Sequence, residues 1–366
     1  MGGRIVSGGN ALLVVTPRLD APGGIAAVVN TLLDGGLRAM YDCRVVETVG
    51  SGSAVTRGLQ SAVGVAAALV SVARLPARSV VHLHMSHGGS FTRKVFIARF
   101  ARLRGHRVVL HVHGSRFHIF AADPGRAVRV RGALEAADRV VVLSATWARR
   151  IRAVAPAART VVVENPIVLP AIDRPGATTD GVLFLGRLGE RKGAFVLLEA
   201  VRMLQERGER VRLTLAGDGE VERAAGLAAT LPFPDDVVVP GWVDPQRVAS
   251  ELLPAHGIFC LPSRDEGQPI ALLEAMARGL ACVVTAVGGI PDTVTDGVDA
   301  LVVPVDDPAA LADVIGSLGR DADVRVRLGA AARRTAEQRF DVRVCVAALE
   351  QLYTELGLER RAEAVT

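Results

Sequence analysis

The sequence predicts an α/β protein of two domains, each a parallel sheet covered by helices, and three observations carry that expectation. The chain has 366 residues, enough for two cores of ordinary size. Short apolar runs at 11–16, 80–85 and 182–185 each lead through a glycine-containing turn into a helical stretch, the rhythm of strand–helix units. The rhythm breaks at 169–181, where Pro, Gly, Asp and Thr dominate as in an interdomain linker, and it restarts at Val182.

Composition narrows the class. Half the residues are hydrophobic and only 4% aromatic, as expected for Ala- and Val-rich helices on parallel strands. The four cysteines, Cys43, Cys260, Cys282 and Cys345, form no Cys-x-x-Cys pair, so neither a disulfide framework nor a thiolate metal cage is expected and a reducing cytoplasm suits the chain. Met1-Gly2-Gly3-Arg4 runs into a strand without a cleavage-like site, so no signal peptide is expected. The longest apolar run, 59–75, is interrupted by Gln60, Ser61, Ser71 and Arg74, which argues against a membrane span. Charge is uneven. Residues 1–170 hold 22 Arg and Lys against 8 Asp and Glu, a balance of +14, while the remainder holds 21 against 30, or −9. A half that basic could face nucleic acid, a phosphate-rich membrane surface or an anionic acceptor, or its arginines could simply solvate the surface.

Taken in order, the strand at 11–16 empties into Pro17-Arg-Leu-Asp-Ala-Pro-Gly-Gly, and a helix is expected from Ile25 to about Leu33. Gly23 and Gly24 occupy that turn, where backbone can approach a ligand, although no Walker or Gly-x-Gly-x-x-Gly pattern is present. Strands at 80–85 and from Val108 each carry a His-x-His pair, and seven of the eight histidines fall between His82 and His118. Imidazoles so placed could bind zinc, but 48–122 contains no Asp or Glu to complete or orient such a site, so no metal is expected. Instead His113, at the strand tip before Gly114, is the candidate for a ligand-facing side chain, because α/β sheets bind ligands beyond the carboxyl ends of their strands. The helix at 91–104 spreads Arg93, Lys94, Arg99, Arg102 and Arg104 around its wheel, which is not a clean membrane-binding face. Further strands are expected at 139–144 and 160–163.

The second half opens with a strand and the loop Gly186-Arg187-Leu-Gly-Glu-Arg-Lys192-Gly. Arg187 can grip a diphosphate bidentately and Lys192, one of only two lysines, can add a point charge. Strands at 211–219 and from Val237 follow, and Trp242 and Val243 end the latter; Trp242 either packs beside a ligand or plugs the domain. The stretch 260–292 reads as strand, loop, helix, strand and glycine turn, with Pro269 at the first helical position and Gly279 as the left-handed stop. Free N–H groups around Gln268 to Ala271, at the positive end of the helix dipole, favour an anion. Glu266 precedes that helix, and Glu274 lies on its mostly apolar stripe, where a carboxylate needs partners. Asp321-Ala-Asp323 sits in a charged segment and reads as solvated surface. A final amphipathic helix spans 340–356, with Val342, Val346, Leu349, Leu352 and Tyr353 on one stripe.

The run Pro-Ser-x-x-Glu266-Gly267-Gln268-Pro269-Ile270, Glu274, then Val-Gly-Gly-Ile-Pro, resembles the donor-binding signature of the retaining glycosyltransferases of family 4. The Gly23-Gly24 turn, the His113-Gly segment and the Arg187/Lys192 loop resemble that family's other elements in the same order. The resemblance implies a GT-B fold, two Rossmann-like domains facing a central cleft, at 1–168 and 181–338 with a linker at 169–180 and a C-terminal helix at 339–366 packing back on the first domain. It implies transfer of a hexose-type sugar from a nucleotide diphosphate donor, with retention and without metal or cofactor, to a glycan or lipid-linked acceptor. Gly23, Gly24, Gly186, Arg187, Lys192 and the amides after Gly267 would hold the diphosphate. Glu274 would hold the ribose, Glu266 with the amides near Gln268 and Ile270 the sugar, His113 the sugar from the other domain, and Trp242 and Val243 would lie where the base is held. The setting implied is cytoplasmic, peripheral at the inner membrane face through the basic half. A GT-B nucleotide-sugar 2-epimerase remains an alternative, and so does a basic nucleic-acid-binding protein, although the latter lacks interleaved aromatics and nucleic acid is not expected as a partner. Gln268 stands where many relatives carry Phe or Leu.

Overall fold

The computed structural model describes residues 9–20, 23–48, 54–171 and 179–361. The chain forms two compact units, residues 1–166 with 342–366, and residues 167–341. The division falls at Pro166/Ile167, just before the expected linker, because Ile167 is tied into the second unit: its N–H donates to Phe340 O at 2.8 Å and it bridges in parallel to Asp341. Residues 172–178 of the expected linker lie outside the described residues.

The first unit contains six parallel strands: β1 Leu12–Thr16, β2 Cys43–Glu47, β3 Val80–Met85, β4 Arg107–Val112, β5 Arg139–Val142 and β6 Thr160–Val162, in the order β2-β1-β3-β4-β5-β6. Its central strands β1 and β3 are buried along their full length, as parallel strands covered on both faces must be. β2 was not expected; its half-buried residues with Arg44 and Glu47 make an edge strand with little apolar signal. The helix Gly24–Leu32 continues past the expected end through a wide turn, Leu33–Leu37, and Arg38–Met40. The last helix is Val342–Glu355, two residues shorter at the start than expected because Asp341 takes an extended-type ψ of 132°. It buries Cys345, Val346, Leu349, Leu352 and Tyr353, and the Tyr353 ring meets Tyr41 edge to face at 5.6 Å.

The second unit repeats the architecture with β7 Val182–Leu185, β8 Leu213–Ala216, β9 Val237–Gly241, β10 Ile258–Leu261, β11 Ala281–Thr285 and β12 Leu301–Val303, ordered β12-β11-β10-β7-β8-β9. Strand order therefore reverses between β7 and β10, the point at which open parallel sheets offer a crevice at their carboxyl ends. The helix Ile270–Arg278 joins β10 to β11 and stops at Gly279, whose φ of 77° is left-handed as expected. Pro269 is corrected by one position: its ψ of 120° places it before the helix, and its carbonyl accepts the first bonds, from Leu272 and Leu273.

Two glycines let the loops close over one another. A Cβ on Gly193 (φ 76°) would lie 2.0 Å from Pro262 O, and one on Gly288 (φ 58°) would lie 1.6 Å from Glu266 O. Gly288→Ala is expected to lower the stability of the second unit by more than about 2 kcal/mol, combining backbone strain with a clash against main chain. Gly297→Ala, left-handed at 72° but with open space around it, should cost only about 1 kcal/mol. Urea denaturation of the two variants checks the difference.

Candidate active site

The loops after β7 and β10 are joined by main chain. Arg264 N–H donates to Arg191 O at 2.9 Å, and the Arg191 guanidinium donates to Asp265 O at 3.2 Å. This zipper brings Lys192 against Glu266: Lys192 Nζ donates to Glu266 Oε1 at 2.5 Å, with side-chain exposures of 16% and 6%. Ser263 Oγ donates to the same oxygen at 2.8 Å. The glycine turn after β11 closes the third side, with Gly289 N–H donating to Glu266 O at 3.3 Å. Gly186, Lys192, Glu266, Gly267, Gln268, Pro269 and Ile270 thus share the carboxyl edge at the β7/β10 reversal, with Gln268 buried there as well.

The amides of Ile270 and Ala271 precede the first intrahelical bonds, so an anion there meets two N–H groups and the positive helix end. Lys192 supplies a cation beside it. Arg187 is exposed, with no ion-pair partner among the described residues. Glu274 is half-buried with no hydrogen-bond or ion-pair partner among the described residues, and burial pushes its carboxyl up to about 7. Trp242, left open between two roles, is 59% exposed and plugs nothing, whereas Val243 packs on the second unit's core. Asp321 of the Asp-x-Asp segment caps the helix Ala322–Thr335, accepting from Val324 N–H at 2.9 Å.

In the first unit, Gly23 and Gly24 are exposed at the carboxyl end of β1, Gly23 with φ 147° and nothing within 4 Å of a would-be Cβ. His113 follows β4, half-buried, and shares a 2.9 Å hydrogen bond between its Nε2 and His84 Nδ1. It heads a set of buried imidazoles: His82 bonds Tyr353 OH through Nδ1 at 2.5 Å and faces His111 Nδ1 through Nε2 at 3.2 Å. Burial drives all four below the usual histidine range, His82 and His113 to about 3, so they are neutral at pH 7. Nitrogens of His82, His84 and His111 lie within 4.8 Å of one another, but the rings are stacked or only tilted, with interplanar angles of 15–35°. Lone pairs lie in the ring planes, so the near-parallel rings do not point at one ion, and no metal is assigned. Lys94, one of the basic residues spread around its helix, is buried against Thr48 Oγ1, and desolvation lowers its ammonium to about 7. Ser263 belongs to the run that carries the resemblance but was given no role; its place three residues before Glu266 was the available signal.

Two family models match in chain order: "Glycosyl transferase 4-like domain" over residues 10–166 and "Glycosyl transferases group 1" over 179–321. The chain is 33% identical over 183 residues to the amylovoran biosynthesis glycosyltransferase AmsK of Erwinia amylovora (48% of this chain, 45% of that protein). It is 33% identical over 268 residues to the D-inositol 3-phosphate glycosyltransferase of Acidothermus cellulolyticus (66% of this chain, 59% of that one). It thus spans about half the length of the curated relatives it matches. The structure of Anabaena HepE in complex with UDP and glucose superposes with a TM-score of 0.76 at 17% identity, covering 94% of this chain and all of that one. Both units therefore have the Rossmann-like architecture of GT-B glycosyltransferases. With the two models matched in order, one to each sheet, the chain belongs to the group 1 glycosyltransferase family.

Proposed function

We propose that the protein transfers a hexose-type sugar from a nucleotide diphosphate donor to a glycan or lipid-linked acceptor, with retention at the anomeric carbon and without a metal at the donor. The observation that carries this is the meeting of Lys192, Glu266 and the start of the helix Ile270–Arg278 at the β7/β10 edge. As the bond from the sugar to the β-phosphate breaks, negative charge grows on the leaving diphosphate. Lys192 and the amides near Ile270 are fixed donors for that charge, and such preorganised donors contribute several kcal/mol, with the exposed Arg187 able to turn to the same charge. The acceptor oxygen bonds to the anomeric carbon on the same face, and a leaving phosphate oxygen takes its proton, so no side-chain base is assigned. Glu266 and the amides near Gln268 and Ile270 receive the sugar's hydroxyls. Trp242 and Val243 flank the base. For Gly23, Gly24 and His113, the support is their placement at the carboxyl ends of β1 and β4 in their own unit.

HepE's complex with UDP makes uridine donors the first to test, and AmsK's role in amylovoran biosynthesis favours a polysaccharide-type acceptor. The 2-epimerase alternative finds no support in the matched proteins. A thermal-shift screen with UDP-, GDP- and dTDP-sugars is expected to show one class stabilising the protein by several degrees; no shift with any would contradict the proposal. Lys192→Ala should then lower kcat by about 100-fold, matching the loss of one fixed transition-state donor.

Glu274 would accept from the ribose hydroxyls, the partners it lacks. With its carboxyl raised from the ordinary 4.5 to about 7, stability from this group is full below pH 4.5 and lost as pH rises through 7. Without nucleotide, unfolding free energy should fall by on the order of 2 kcal/mol across that window, and Glu274→Gln should flatten the dependence. Glu274→Ala should weaken nucleotide-sugar binding at least tenfold by calorimetry; unchanged affinity would remove the ribose role.

The cytoplasmic, membrane-peripheral setting belongs to the same proposal. No helix among the described residues is long and apolar enough to cross a membrane, but the helix Gly89–Leu103 exposes Phe96 and Leu103 beside Arg99 and Arg102. Flotation with vesicles containing anionic lipid should recover the protein at low salt and release it at high salt; no preference for anionic lipid would refute this.

A further inference from the structure

We infer that Ser263 and Thr285 are positioning residues for Glu266, fixing which carboxylate oxygen is offered to the donor sugar; the inference rests on the donor reading above. Glu266 Oε1 takes two donors, Lys192 Nζ at 2.5 Å and Ser263 Oγ at 2.8 Å, whereas Oε2 takes none among the described residues. Two donors fill the two lone-pair positions of Oε1, so the carboxylate cannot rotate without giving up both, and Oε2 is the oxygen left for a ligand.

The two donors are not equivalent. Lys192 has three N–H groups, only one of them committed to Glu266, and the others can turn to a diphosphate without releasing the carboxylate. Ser263 has a single hydroxyl proton, given to Glu266, and no other acceptor competes for it closely: Lys192 O lies 3.5 Å away. Ser263 is in turn fixed from behind, because Thr285 Oγ donates to its carbonyl at 2.5 Å. Both residues are 0% exposed, and Thr285 is the last residue of β11. The orientation of Glu266 is therefore inherited from the sheet through Thr285 and Ser263, while Lys192 remains available for charge stabilisation.

The test is a double-mutant cycle on the full chain with the nucleotide sugar that binds best in the screen, using Ser263→Ala, Glu266→Gln and the double variant. Ser263→Ala is expected to lower kcat by about 10- to 100-fold, while affinity for the free nucleoside diphosphate stays within about threefold. In the Glu266→Gln background, the same change should alter kcat by less than about twofold, and Ser263→Thr should recover most of the activity. Thr285→Val, close in shape, should show the same pattern more weakly and carries the test if Ser263→Ala does not fold. Equal losses in both backgrounds, or a Ser263→Ala kcat within twofold of wild type, would overturn the inference while leaving the donor reading intact. Failure of the wild type to bind any nucleotide sugar would remove both.

Discussion

The carboxyl edge of the second unit's sheet is organised by one ion pair, Lys192 with Glu266, built where two loops are zipped together at the reversal of strand order. Taking both charges largely out of water costs several kcal/mol, and mutual attraction alone often fails to recover it. The pair persists because further hydrogen bonds complete it, Ser263 on Oε1 and the Gly289 amide on the Glu266 carbonyl. Those partners are in place only because Gly193 and Gly288 allow main chain to approach main chain at distances no side chain would permit. A charged pair that costly adds little to stability, and its value lies in holding a cation and a carboxylate at fixed positions beside a helix start.

The first unit solves a different problem with the same sheet. Its face over β3 and β4 sets imidazoles and Tyr353 beside the buried Val80 and Val109, and with no acidic residue at 48–122 the imidazoles pair with one another. Burial keeps them neutral, so the layer tolerates desolvation that a charged one would not. The arrangement ties His113 to His84, and the C-terminal helix to β3 through Tyr353.

Most of the fold was legible because parallel strands buried on both faces leave dense apolar runs; β2, an edge strand with charged residues, left none. The loop at 262–270 was legible through its resemblance to a family's donor-binding signature, since the spacing of its carboxylates alone is common in helices as solvated charge. What the chain could not disclose was pairing across sequence distance. Nothing local to Lys192 announces a carboxylate 74 residues away, and nothing near Lys94 announces burial against Thr48. Pro269 was displaced by one position because proline suits both the first helical turn and the extended residue before it, and only ψ separates the two.

The central claim is that the β7/β10 edge is a diphosphate site organised by the Lys192–Glu266 pair. A crystal structure of the protein with UDP tests it most directly. The account predicts β-phosphate oxygens within hydrogen-bond distance of Lys192 Nζ and of the amides near Ile270, with Glu266 still held by Ser263. A nucleotide bound in full occupancy elsewhere, with Lys192 and Glu266 untouched, would contradict it.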